Sequence, residues 1–185
     1  MLLGHRKERL NMKKRLLSII MTAALIVQSL CMMTVSAENA TLTGSGTIED
    51  PYRIGNKNHL VAFANLVKSG ETGACALVTA DITDNAFING AAQIATTQDA
   101  PYTGTFDGAG HTIKLNHGGG GSYKGLFAYI KNATVKNVNI TGSVGGQQAL
   151  AGIAAVAESS LIENCTNSAT IFDASNGSWA INDSA

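Results

Sequence analysis

From Tyr102 to Ile171 the apolar positions recur at a fixed interval while the residues between them change. A step of 27 residues sets Gly125 on Gly152, Val135 on Ile162, Asn137 on Asn164, Val138 on Cys165 and Val144 on Ile171. Two stretches read as the same unit: Gly104-Thr105-Phe106-Asp107-Gly108 leads to Thr112-Ile113-Lys114, as Lys124-Gly125-Leu126-Phe127 leads to Thr134-Val135-Lys136. Val135, Val138 and Ile140 are β-branched and suit a pleated, half-buried surface. A unit repeated in this way cannot bury its apolar face alone and lays it on the next copy. The pattern predicts a mainly β chain, a parallel β-helix (solenoid) with rungs over residues 76–185.

The apolar spacing changes upstream. Leu60, Phe63, Ala64 and Val67 recur at helical intervals. Asn56 offers an N-cap acceptor and Gly70 a C-terminal stop. An amphipathic helix is expected over 57–69, within a segment 57–70 that caps the amino-terminal end of the coil, because terminal repeats need their apolar cross-section covered. Residues 38–56 read as a polar lead-in and a first strand, the short extended segment at Pro51-Tyr52-Arg53-Ile54. Ala76 to Ile82 is the expected first full strand. Residues 85–100 are polar, alanine-rich and without period, and read as a loop leaving the coil. Gly118 to Gly121 reads as a flexible turn; no Lys-Ser or Lys-Thr follows, so it is no phosphate loop.

Residues 1–37 read as a secretory signal peptide. Arg6, Lys7, Arg9, Lys13, Lys14 and Arg15 precede an apolar run from Leu16 to Met33, and Val35-Ser36-Ala37 supplies small residues for cleavage. A retained membrane anchor is the alternative for this run. The whole chain carries 13 basic and 13 acidic residues. Without the leader the balance turns acidic and no basic cluster remains, so nucleic acid is excluded as a partner. No membrane association is expected after signal cleavage. Past Trp179, one step beyond Gly152, the repeat stops at Ala185. The expectation is the leading, truncated portion of a longer protein, whose open coil end invites self-association.

Candidate chemistry is sparse. Beyond the leader only Cys75 and Cys165 remain, so no disulfide framework holds the fold; their pairing stays open, and Cys165 shares its repeat position with Val138. No Cys-x-x-Cys and no close histidine pair supports a metal site, and no cofactor is implied. Asn137 and Asn164, one step apart, predict a ladder of stacked side-chain amides at a bend. Asp81, Asp84, Asp107 and His111 are the acid and base candidates. Two carboxylates fall short of a calcium site. An aspartate in a tight bend more often accepts from backbone amides, and a lone histidine lacks an orienting constellation. The expected catalytic, cofactor and metal sets are therefore empty, with Asn137, Asn164, Asp107, Gly108, Gly110, His111, Gly125 and Gly152 as structural residues.

The run Gly44 to Ile54, the 57–69 helix, Thr79-Ala80-Asp81-Ile82, the block from Tyr102 to Ile113 and Lys124-Gly125-Leu126-Phe127 resemble the amino-terminal part of bacterial surface proteins carrying GLUG repeats. Ala128 and Ala155 stand where the motif ends in glycine, and the Trp-x-Pro-Ile-Gly stretch before Tyr102 is missing. The resemblance implies a right-handed parallel β-helix and a secreted or cell-surface bacterial scaffold. Its expected function is a non-catalytic structural or adhesion module presenting loops 85–100 and 117–122 to a host protein or a glycan. The alternative is the front of a β-helical polysaccharide lyase or glycosidase, or of an IgA-type metallopeptidase.

Overall fold

The computed structural model describes residues 41–83 and 91–174. The expected signal peptide, Asp84, most of the lead of the 85–100 loop, and the expected rung at Asn176, Gly177 and Trp179 lie outside the described residues.

The described chain is a β-solenoid of parallel stacked strands with one short helix. In order, the elements are β1 (Tyr52–Ile54), α1 (Lys57–Lys68), β2 (Ala76–Val78), β3 (Thr105–Asp107), β4 (Thr112–His117), β5 (Ser122–Lys124), β6 (Phe127–Lys131), β7 (Thr134–Lys136), β8 (Asn139–Gly146), β9 (Gln148–Leu150), β10 (Ala154–Glu158), β11 (Leu161–Glu163), β12 (Thr166–Asn167) and β13 (Thr170–Asp173). One sheet stacks β1, β2, β3, β7 and β11. A second stacks β4 on β8 and β8 on β12 and β13; β6 pairs with β10, and β5 with β9. Following β3, β4, β5, β6 and then β7, the chain visits each sheet once before returning to the first, one layer further on.

Register explains why the apolar pattern repeats. Tyr52, Ala76, Phe106, Val135 and Ile162 lie partner to partner across the first sheet. Ile82, Ile113 and Ile140 form the matching column on the second, and Ile94, Phe127 and Ala154 on the third. Each inward side chain rests on its counterpart in the next turn, so the core is continuous along the stack. The 27-residue step is realised between the last two turns: Val135 pairs with Ile162 and Val144 with Ile171.

α1 begins where Asn56 Oδ1 accepts from His59 N at 2.9 Å. Past the Ser69 C-cap, Gly70 N donates to Val67 O at 3.1 Å and Glu71 N to Leu66 O at 3.3 Å, closing the last turn. Leu60, Phe63, Ala64 and Val67 are buried in the same core as the strands. Phe63 meets Tyr52, Tyr102 and Phe106 at 6.0–6.4 Å between ring centroids. Tyr102 in turn stacks on Phe127 at 5.1 Å, and its hydroxyl donates to Ala74 O.

Three expectations need correction. The Gly104–Gly108 and Lys124–Phe127 stretches are not one unit: Thr105–Asp107 pairs with Thr134–Lys136, whereas Phe127 pairs with Ile94 on another sheet. Both motifs contain a glycine and a phenylalanine, but different sides of the coil require them. The first strand expected within 38–56 is β1, in register with β2, but the expected full strand from Ala76 to Ile82 is split at Thr79–Asp81 by a corner. Within the expected external loop, Ala92, Ile94 and Ala95 are buried and Ile94 joins β6, so 92–95 belongs to the coil wall. The buried run there is only four residues long, 92–95, and is flanked by exposed positions on both sides.

Two glycines at positive φ separate conformational strain from crowding. Gly142 (φ 94°) sits in β8, where an added Cβ would overlap the Leu115 carbonyl of the neighbouring turn; Gly110 (φ 83°) has open space around it. Gly110→Ala should cost about 1 kcal/mol, the strain of a left-handed alanine. Gly142→Ala should cost roughly 3 kcal/mol, because stacked turns must also separate. Urea unfolding of both variants measures the difference, and equal losses would mean that the β4–β8 spacing is not tight.

Candidate functional site

Of the acid and base candidates, Asp81, Asp107 and His111 lie among the described residues and fall where the chain passes from the first sheet to the second. Asp81 Oδ1 accepts from Thr112 N at 2.8 Å and meets His111 Nδ1 at 3.2 Å. The backbone donor and then the imidazole hold the Asp81 carboxyl below the usual carboxylate range. Asp81 is largely solvent-exposed and His111 only half-buried, so this pairing adds little to stability.

Asp107 occupies the next corner. Its Oδ1 accepts from Ala109 N at 2.8 Å and from Asn137 Nδ2 at 2.9 Å, while Oδ2 lies 3.5 Å from Lys136 Nζ. Partial burial pushes this carboxyl up, but the Asn137 and Ala109 bonds and the Lys136 charge outweigh it, and the net direction is down. Asp107 is thus an ionised acceptor of local donors, with the bonding expected of a turn aspartate.

The expected amide ladder takes a different form. Asn137 and Asn164 both sit at left-handed backbone (φ 55° and 51°), each making the corner with a single residue. The Asn137 side chain, however, bonds Asp107 in the preceding turn and not Asn164, since an ionised carboxylate is the stronger acceptor. Asn164 is exposed. Backbone bonds still tie the corners: Asn137 N donates to Glu163 O, and Gly110 N to Asn137 O. The remaining sequence-selected glycines mark close approaches. A Cβ on Gly108 would strike Asn137 O and Val138, one on Gly125 would crowd Ala151 O, and one on Gly152 would strike the Asn167 side chain.

The two cysteines are free. Burial pushes the Cys165 thiol up, and Sγ donates to Glu163 O at 3.2 Å, consistent with a small packed side chain. Among the described residues no group of three or more His, Cys, Asp or Glu is arranged to hold a metal ion.

His117 was not singled out from sequence, although the alternation of β4 turns it inward after Ile113 and Leu115. It is 2% exposed, and its Nε2 has no hydrogen-bond partner. Burial first, then the nearby Lys124 charge, lowers its pKa from 6.5 to about 4, against a raising bond to the Gly125 backbone. Lys124 itself is anchored: Nζ donates to Gly118 O at 3.1 Å and Gly119 O at 2.9 Å. The glycine run is therefore clamped at its start by a lysine from the strand that follows it.

Two measurements follow from these corners and from His117. Asn137→Ala loses both the Asp107 bond and an easy left-handed residue, and should destabilise by about 2–3 kcal/mol. Asn137→Gly keeps the backbone and should cost only about 1 kcal/mol; urea midpoints of the pair separate the two contributions. For His117 the folded pKa lies below the unfolded one, so between pH 6.5 and 4 the unfolded chain binds the extra proton. Stability is complete above pH 6.5 and should decline by about 3 kcal/mol as pH falls towards 4. His117→Leu should flatten this window, and a wild-type chain equally stable at pH 4.5 and 7.5 would contradict a buried neutral imidazole.

No family model matches the chain, and no solved structure matches it. Among curated proteins, halomucin of Haloquadratum walsbyi is 31% identical over 162 residues, which cover 66% of this chain and 2% of that protein. The chain spans only about 2% of the length of the curated relative it matches. The described residues contain no helix long and apolar enough to cross a membrane. These findings accompany a β-solenoid scaffold whose candidate site is a set of bonded corners.

Proposed function

We propose that the chain is a non-catalytic structural module of an exported bacterial protein, a stiff solenoid that holds surface features for a host protein or a glycan. The observation that carries this reading is the commitment of the candidate acids. Asp81 accepts the Thr112 amide of the next turn and Asp107 the Ala109 amide of its own corner, and each is held towards its ionised form. A general acid needs the opposite tuning, a raised pKa and a free proton. The continuous core supports the mechanical part, since each turn leans on the next through in-register aliphatic and aromatic side chains.

The same reading includes a right-handed coil, an amino-terminal cap formed by α1, a cleaved signal peptide over 1–37 and a place among GLUG-repeat proteins. The buried stripe of α1 against Tyr52, Tyr102 and Phe106 supports the cap. The likeness to a small part of halomucin, a far longer protein, fits a module used within a larger chain. Self-association through the far turn also belongs here, because Leu161 and Ile162 are 51% and 40% exposed on β11.

Incubation with polygalacturonate, alginate and a β-glucan, with and without calcium, tests the absence of turnover. No new reducing or unsaturated ends should form. Turnover lost on Asp107→Asn or Asp81→Asn would replace the scaffold by a β-helical lyase or glycosidase.

A further inference from the structure

The outer face of the β6–β10 pair carries a groove of about 210 Å³ that the corner residues do not reach. Gln98, Asp99, Pro101, Tyr129, Lys131 and Glu158 line it. Tyr129 and Lys131 point outward because they alternate with buried Ile130 along β6. Tyr123 lies against Tyr129, with ring centroids 5.0 Å apart and planes 32° from parallel, outside the groove lining. This pair is braced from below: the buried Gln93 side chain donates to the Tyr123 carbonyl, at a residue held in left-handed backbone.

The donors and acceptors around this ring are mixed. Gln98 can donate and accept, Asp99 accepts, and Lys131 donates while bonded to Glu158 at 2.8 Å. Two carboxylates against one ammonium leave the lining mildly negative, which disfavours phosphates and uronates. A flat amphipathic ring beside alternating donors and acceptors matches a sugar ring, whose C–H face is apolar and whose edge is a circle of hydroxyls. The volume is below the roughly 300–1,000 Å³ of pockets that enclose a drug-sized ligand, and suits one ring of a chain.

An extended peptide is a poorer fit. Strand addition needs unpaired backbone, yet both sides of β6 are occupied: Tyr102 N donates to Tyr129 O and Lys131 N to Tyr102 O, while β10 pairs along the other side. One turn on, Val156 pairs with Tyr129, so the aromatic wall is not repeated there.

We infer that this groove is a binding site for one ring of a neutral oligosaccharide, with Tyr129 as the stacking surface and Gln98, Asp99 and Lys131 as the hydroxyl partners. The inference rests on the scaffold reading only in that the sugar is held and not cleaved.

The 185-residue chain is titrated with cellohexaose, mannohexaose and chitohexaose, followed by NMR at the Gln98 side-chain amide and by calorimetry. Saturable binding of at least one hexaose at one site per chain is expected. Tyr129→Ala and Asp99→Ala should each weaken it about tenfold, and Tyr129→Phe should retain it. If Tyr129→Ala does not fold, Asp99→Ala and Gln98→Ala at exposed positions carry the same comparison. No saturable response to any hexaose overturns the site, as does a stronger response at these residues to hexagalacturonate or to a proline decamer. Binding accompanied by release of reducing ends would uphold the site and overturn the non-catalytic reading.

Discussion

In-register parallel stacking is the constraint from which the rest of this structure follows. A turn of the coil has no independent core; its inward side chains are buried only by the turns before and after it. Phe106 is buried because Ala76 and Val135 flank it, and Val135 because Phe106 and Ile162 do. Side chains must therefore match in position along neighbouring turns, while their identity is free within the available volume. A one-residue slip would reverse every inward and outward position downstream.

Stacking also dictates what happens at corners. Each time the chain leaves one sheet for the next, backbone groups turn away from the ladder and need other partners. The solution here is economical: single residues at positive φ turn the chain sharply enough for the following strand to resume its register. These residues recur in columns, Asn132 with Ser159 and Asn137 with Asn164, and the same conformation recurs within the paired strands β5 and β9 at Tyr123 and Ala149. Where the corner is longer, between β3 and β4, Asp107 and Asp81 add side-chain acceptors for the exposed amides of Ala109 and Thr112. The polar residues that resemble catalytic candidates are, on this account, consequences of corner geometry.

This division explains what could be read from the amino-acid order. The final step was legible because the two last turns have corners of equal length, so that Val135, Val138 and Val144 meet their counterparts after the same interval. Helix α1 was legible because its cap and stripe are local. The correspondence of β3 with β7 was hidden, since the corner from Asp107 to Thr112 has two residues more than that from Lys136 to Asn139, which displaces the period. Ile94 was hidden for another reason: a short buried stretch in a polar segment is recognisable only from the strand it joins. The partner of Asn137 depended on an acidic residue in the turn before, and the groove at Tyr129 on a segment, 98–101, that no repeat position specifies. His117 was within reach, since strict alternation from Thr112 turns it inward, but a histidine is seldom assigned to a core without a partner for both nitrogens.

The composition of the stack is graded along its length. Near α1 the interior is aromatic, with Phe63, Tyr102, Phe106 and Phe127 in mutual contact. Towards the far end the partners shrink: Phe106 faces Val135 and then Ile162, Tyr102 faces Ile130 and then Ala157, and Phe127 faces Ala154. Aromatic side chains bury more area each, and their pairs add to that burial. In a linear array of nearest-neighbour interfaces, stability then concentrates where the interfaces are richest, and the poorer end opens first. Lys124, His117 and the glycine run lie between these regimes, and the buried imidazole on β4 faces β8 across the His117–Val144 pair. The Tyr129 groove lies on β6, the strand that carries Phe127, where the aromatic interior gives way to the aliphatic partners of the following turn.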